Sequence, residues 1–147
     1  LKHEQGEKAC MISTGRQAHI AMDYISGLGR GEIDLGHLAE DMTAWSPAMR
    51  MVSRNEFLPR LPVMSKVFMT PLTFTFDSIT AQPGRVAVQC RSHGVLYNGE
   101  VYSNEYLFLI EFNDEGRISH AREYFDIDRL RDILKPAIAA WHAMHAI

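Results

Sequence analysis

The chain has 147 residues, of which 46% are hydrophobic, and a formal net charge of −3. That is enough apolar sequence for one domain with its own core and too little for two. The arginines are scattered along the weakly acidic chain, which excludes a phosphate-backbone interface as its main role, so no nucleic-acid partner is expected.

The chain starts with a polar stretch, Leu1-Lys2-His3-Glu4-Gln5, that does not read as a signal peptide, and no apolar run approaches membrane-spanning length. Neither a membrane partner nor secretion is expected. Cys10 and Cys90 lie far apart, with no CxxC or Cys/His ligand spacing, so no metal is expected; two such thiols fit a reducing cytoplasm.

Thr14 followed by Gln17 reads as a capping box, and Ala18, Ala21, Ile25 and Leu28 then recur at helical spacing. Gly29-Arg30-Gly31 supplies the helix stop. A short helix is expected over Leu35 to Glu40, then an extended piece from Met42 to Ser46 that Pro47 ends. Ser53 caps a third helix with an apolar stripe of Phe57, Leu61, Met64 and Phe68, broken by Pro59 and Pro62.

From Pro71 onward the period changes to two. Four strands are expected: Thr73–Thr80, Arg85–Tyr97, Glu100–Phe112 and Arg117–Phe125. Asn98-Gly99 between the second and third is a strong hairpin signal, because both residues tolerate positive φ. Asp126 then caps a last helix through Leu134, and Pro136 precedes an apolar tail. Helices first and an antiparallel meander afterwards give an α+β architecture.

Two stretches carry a resemblance to a known family. Tyr24-Ile25-Ser26-Gly27-Leu28-Gly29-Arg30-Gly31-Glu32-Ile33-Asp34, leading to Leu38-Ala39-Glu40-Asp41-Met42-Thr43, looks like a common family opening. Tyr102-Ser103-Asn104-Glu105-Tyr106-Leu107-Phe108, Gly116-Arg117-Ile118 and Arg122-Glu123-Tyr124-Phe125-Asp126 resemble its ending. In this order they are similar to the SnoaL-like and ketosteroid-isomerase-like families of the nuclear transport factor 2-like superfamily. The resemblance implies a cone-shaped fold, with N-terminal helices packed on a curved, mostly antiparallel (mixed) sheet around a pocket. It assigns 14–135 to the domain, 1–13 to an N-terminal extension and 136–147 to the apolar tail.

The superfamily hosts isomerases, cyclases, dehydratases, epoxide hydrolases and non-catalytic proteins, so each functional position has to be compared in turn. Tyr24 falls at the ketosteroid-isomerase oxyanion-hole tyrosine. Ser46 occupies the position of that family's base, and Phe108 that of its protonated Asp, which argues against ketosteroid isomerisation by that mechanism. Phe108 also replaces the cyclase-type histidine, and Asn104 and Tyr106 replace the epoxide-hydrolase Arg/Asp pair. Glu123 matches the acid/base carboxylate of the polyketide-cyclase branch.

Alternation adds an argument independent of the resemblance. Tyr102, Asn104, Tyr106, Phe108 and Ile110 share one face of their strand, an aromatic wall with one amide that suits a pocket. If that face is concave, hairpin pairing should bring Arg91, His93 and Val95 beside it from the preceding strand, and Glu123 from the next.

Glu123 is read as a general acid or base with a burial-raised pKa, or else as a carboxylate tied to Arg91 or Arg122. His93 is a proton relay or a histidine packed at the pocket edge. Tyr24 donates to a developing oxyanion or is a core aromatic. Asn104 orients substrate or satisfies a buried neighbour. Trp45, with Met49, Met51, Met64 and Met69, lines the pocket or packs the core.

The expected function is a cofactor-independent acid–base enzyme of isomerase, cyclase or lyase/dehydratase type, acting on a small, mostly apolar cyclic or aromatic molecule. Glu123, His93 and Tyr24 would be its catalytic groups, with Asn104, Tyr102, Tyr106, Phe108, Trp45 and Arg91 binding substrate. The alternative is a non-catalytic small-molecule-binding domain or dimeric scaffold. A homodimer is expected through the outer sheet face bearing Val101, Leu107 and Leu109.

Overall fold

The computed structural model describes residues 13–146. Helix α1 (Thr14–Arg30) starts one residue earlier than the capping box suggests: Ser13 is the N-cap, and its Oγ accepts from Arg16 N at 3.1 Å. Gln17 is thereby released from capping. It is buried, and its amide holds the Gln82-Pro83-Gly84 turn, donating to Gln82 O at 2.9 Å and accepting from Gly84 N at 2.9 Å. At the other end Gly31, with φ of 77°, stops the helix as expected.

A 3₁₀ turn (Leu35–His37) leads into strand β1 (Leu38–Ser46) and then β2 (Arg50–Ser53), a short strand that the sequence pattern did not reveal. Ser53 and Glu56 form a reciprocal capping box on α2 (Arg54–Phe57). The two prolines break the rest of that helical stretch into a 3₁₀ turn (Leu58–Arg60) and α3 (Val63–Val67). Strands β3 (Phe68–Gln82), β4 (Arg85–Leu96), β5 (Val101–Phe112) and β6 (Ile118–Phe125) form the meander.

The six strands make one sheet of order β2-β1-β6-β5-β4-β3. All neighbours are antiparallel except β1 and β6, which run parallel, so the sheet is mixed. Helix α1 packs on β3 and β4, burying Ile20, Ala21, Tyr24 and Ile25.

After β6 the chain stays helical. Asp126 caps α4 (Ile127–Arg129), a π-helical turn comes next (Leu130–Leu134), and α5 (Lys135–Met144) completes the run. Pro136 explains the π-turn. Its ring lacks an N–H and collides with the carbonyl four residues back in a regular α-helix. Here Lys135 N bonds Leu130 O five residues back, and the widened turn lets the helix continue.

Two apolar clusters form the core. One joins α1 to the sheet, with Val86, Val88, Cys90, Phe108 and Ile110 at its centre. The other gathers Val67, Phe68, Leu72, Leu96 and Tyr102 beneath Leu134 and Ala137 of the C-terminal helical run. Among the described residues no helix is long and apolar enough to cross a membrane.

Candidate active site

A cavity of about 340 Å³ opens where the two clusters meet, at the lower end of the range of roughly 300–1,000 Å³ for small-molecule sites. Phe57, Leu61, Leu72, Phe74, Tyr102, Tyr106 and Phe125 make most of its wall, and Leu130, Leu134 and Ile138 close one side. Of the apolar tail, Ile138 takes part in that wall.

Glu123 lies in that wall, partly buried. Among the described residues no cation lies within salt-bridge distance of it. Of the two arginines expected to hold it, Arg91 bonds Asp77 through two nitrogens at 3.0 to 3.2 Å, and Arg122 lies 5.5 Å over the Trp45 ring. Burial without compensation pushes the Glu123 carboxyl up to about 7. It thus changes charge near neutral pH, as a group that both takes and returns protons must.

Tyr24, Tyr102 and Tyr106 surround it. Burial raises the pKa of each hydroxyl, and the Glu123 charge raises it further, so all three stay neutral donors. Tyr24 stacks on Phe57 with ring centres 6.3 Å apart, one layer behind the wall. Tyr106 shares a hydrogen bond with Ser92 at 2.9 Å. Cys90 feels the same environment; burial first, then Asp77 and Glu123, push its thiol to about 12, which rules it out as a nucleophile at neutral pH.

Asn104 is buried as predicted but has no amide atom to spare for substrate. Its Nδ2 donates to the Tyr102 hydroxyl at 2.8 Å and to Asp126 O at 3.0 Å. Its Oδ1 accepts from Glu105 N at 2.8 Å and from Asp126 N at 3.1 Å. It pins the β6–α4 corner and orients Tyr102, which, accepting from Asn104, keeps its own proton to donate.

Several expected site residues lie elsewhere. His93 and Arg91 are exposed on the outer face of β4, in a polar depression shared with Ser103, Glu105 and Arg129. Trp45 also faces outward, against Tyr124 at 5.0 Å. Phe108 is a core residue, stacked on Tyr106 at 5.5 Å and paired across strands with Glu123, behind the cavity wall. Of the methionines, Met49 and Met64 line the cavity, whereas Met51 and Met69 are exposed.

Hairpin geometry explains the His93 and Arg91 error. A two-residue Asn98-Gly99 turn would pair Tyr97 with Glu100 and set odd residues of β4 beside even ones of β5. Instead Leu96 N bonds Glu100 O at 2.8 Å and Gly99, with φ of 88°, bulges the turn to three residues. Even then faces even: Ser92 pairs with Asn104 and Cys90 with Tyr106. The alternation Val86, Val88, Cys90 against Arg85, Gln89, Arg91 carried that signal.

Sequence reasoning missed Arg60 and Lys135, which also line the cavity, as does Ser46, the residue at the ketosteroid-isomerase base position. Away from it, Asp23, Asp34 and His37 place ligand atoms within 4.8 Å of one another. His37 Nε2 is 3.0 Å from Asp23 and 3.6 Å from Asp34, and Arg30 lies 3.5 Å from Asp23, so these groups already satisfy one another. On the outer sheet face, from which a homodimer is expected, Val101 and Leu107 are half-exposed.

Comparison with known proteins agrees with this architecture. Residues 23–121 match the family model described as the SnoaL-like domain. A curated relative, UPF0523 protein C of Dictyostelium discoideum, is 26% identical over 84 residues, covering 57% of this chain and 51% of that protein; the chain thus spans about half the length of that relative. An NTF2-like protein from Anabaena variabilis superposes with a TM-score of 0.66 at 25% identity, covering 77% of this chain and 89% of that one. PrhC from Penicillium brasilianum gives 0.71 at 18% identity over 88% and 92% of the two chains. BvnE pinacolase from Penicillium brevicompactum gives 0.67 at 14% identity over 87% and 99%. On its sequence match and its fold, the chain belongs to the SnoaL-like domain family.

Proposed function

We propose that this protein is an acid–base enzyme, of isomerase, cyclase or lyase type, acting on a small and mostly apolar cyclic molecule. The observation that carries the reading is the Glu123 carboxyl, unpaired among the described residues, in an apolar cavity with a pKa of about 7. Buried carboxylates are normally paired, because desolvation costs several kcal/mol. An ionisable group left without a partner in a ligand-sized cavity is a candidate for proton transfer.

In this reading Glu123 takes a proton from an acidified C–H of the substrate and returns it to another atom, or to the leaving group of an elimination. Tyr102 and Tyr106 donate to the oxygen on which charge develops, and Tyr24 supports Glu123 from behind Phe57. Asn104 is a positioning residue, acting through Tyr102.

A small aromatic probe tests this without knowledge of the substrate. In 5-nitro-1,2-benzisoxazole a base removes the ring C–H while the N–O bond breaks, giving a coloured cyanophenolate. The expected rate rises with pH through about 7, and Glu123→Gln lowers it at least about 100-fold. Equal rates for the two proteins would leave the cavity as a binding site without catalysis.

A further inference from the structure

The acid–base reading leaves the cavity's other charged side chains without a task. Besides Glu123, the charged groups in its wall are Arg60, at the end of the 3₁₀ turn, and Lys135, at the start of α5. Both are exposed, so they stand at the mouth, while Glu123 is partly buried in the wall. Among the described residues neither has a carboxylate within 4.0 Å, whereas Arg30, Arg91, Arg129 and Arg131 each do. Arg60 is steadied by its Nε, which donates to Glu56 O at 3.1 Å. Lys66, the neighbouring cation on α3, is instead engaged 5.7 Å over the Trp141 ring.

Lys135 owes its place to the π-turn. That turn carries the helical run through Pro136, and the same segment gives Leu130, Leu134 and Ile138 to the wall. Such turns are frequent at functional sites. The cavity is therefore polarised, with two cations outside, apolar walls between, and one acid within. A molecule with an anionic end enters favourably one way round, because the reverse sets its charge against the Glu123 carboxylate among apolar walls.

We propose that the ligand of this cavity is an apolar, ring-containing molecule with one carboxylate or equivalent anionic group. Arg60 and Lys135 hold that group at the mouth, and the opposite end lies at Glu123. Only the last clause rests on the acid–base reading.

Two fluorescent probes with the same ring body test the proposal: 1-anilinonaphthalene-8-sulfonate and its uncharged parent N-phenyl-1-naphthylamine. The wild-type protein is expected to bind the sulfonate about tenfold more tightly than the parent, or about 1.4 kcal/mol. The Arg60→Gln/Lys135→Gln double variant should bring that ratio to about one while the parent's affinity stays the same. An unchanged ratio in the variant, or no preference in the wild type, overturns the proposal. If the variant also loses the parent probe, the wild-type salt series decides, since a preference that does not fall with added salt overturns it as well. Glu123→Gln should keep the preference even where it abolishes turnover of the benzisoxazole, so failure of one reading is distinguishable from failure of the other.

Discussion

Asn104 and Glu123 sit on neighbouring strands of one sheet, Glu123 in the cavity wall and Asn104 bonded to Tyr102 of that wall, and their surroundings are opposite. Every hydrogen-bonding position of the Asn104 amide is used, two of them on the backbone of Asp126. The Glu123 carboxyl has no ion pair among the described residues, and its pKa rises to about 7 through burial alone. A fully bonded buried polar group holds the fold together, whereas an unpaired one costs stability and is available for chemistry. The contrast separates two residues that look alike in the sequence, each a polar residue in an aromatic stretch.

The largest effect should come from breaking the bonded member. Asn104→Ala strands the Asp126 N–H and carbonyl, the Glu105 N–H and the Tyr102 hydroxyl together, and is expected to cost about 3 kcal/mol or more in urea unfolding. A loss below about 1 kcal/mol would remove the structural role assigned to it.

Next comes the unpaired member, whose effect depends on pH. Below the ordinary carboxyl value of 4.5, Glu123 is protonated in both the folded and the unfolded chain, so its burial carries no ionisation penalty. As pH rises past that value the unfolded chain ionises while the folded protein holds its proton, and stability falls until pH passes about 7. The full loss is roughly 3 kcal/mol. Glu123→Gln should therefore match the wild type near pH 4 and be more stable by about that amount at pH 8. A stability difference that does not change with pH would show that the carboxyl titrates normally.

The smallest effect is expected outside the cavity. His93→Ala and Arg91→Ala alter exposed groups on the outer face of β4, so both should leave the benzisoxazole rate and its pH profile as in the wild type. A shifted inflection in His93→Ala would bring His93 back into the proton path, contrary to the register.

Much of this was legible in the sequence. The Gly31 stop, the Ser53 cap, the helix broken at Pro59 and Pro62 and the inward face of β5 all come from local chemistry and spacing, and the structure has them. Tyr102 and Tyr106 come from the period-two pattern within β5, and Glu123 from the family resemblance and its expected pairing with β5; the structure has all three in the cavity wall. His93, Arg91 and Trp45 were misplaced because their facing depends on a neighbouring strand or turn. Arg60 and Lys135 were missed because they lie far apart in the chain and come to one cavity only through folding.

The sequence by itself determined the element types, the α+β order and which residues of each strand share a face, since these depend on dihedral preferences and periods within a few residues. Tertiary structure decided the register in which the strands meet, although the alternation along β4 already marked its inward face. The extra residue in the Tyr97-Asn98-Gly99 turn shifts the pairing of β4 on β5 by one, and a shift of one turns every side chain of a strand to the other face. That shift put Ser92 and Cys90 where Arg91 and His93 were expected, and left Glu123 without the arginine that would have made it structural.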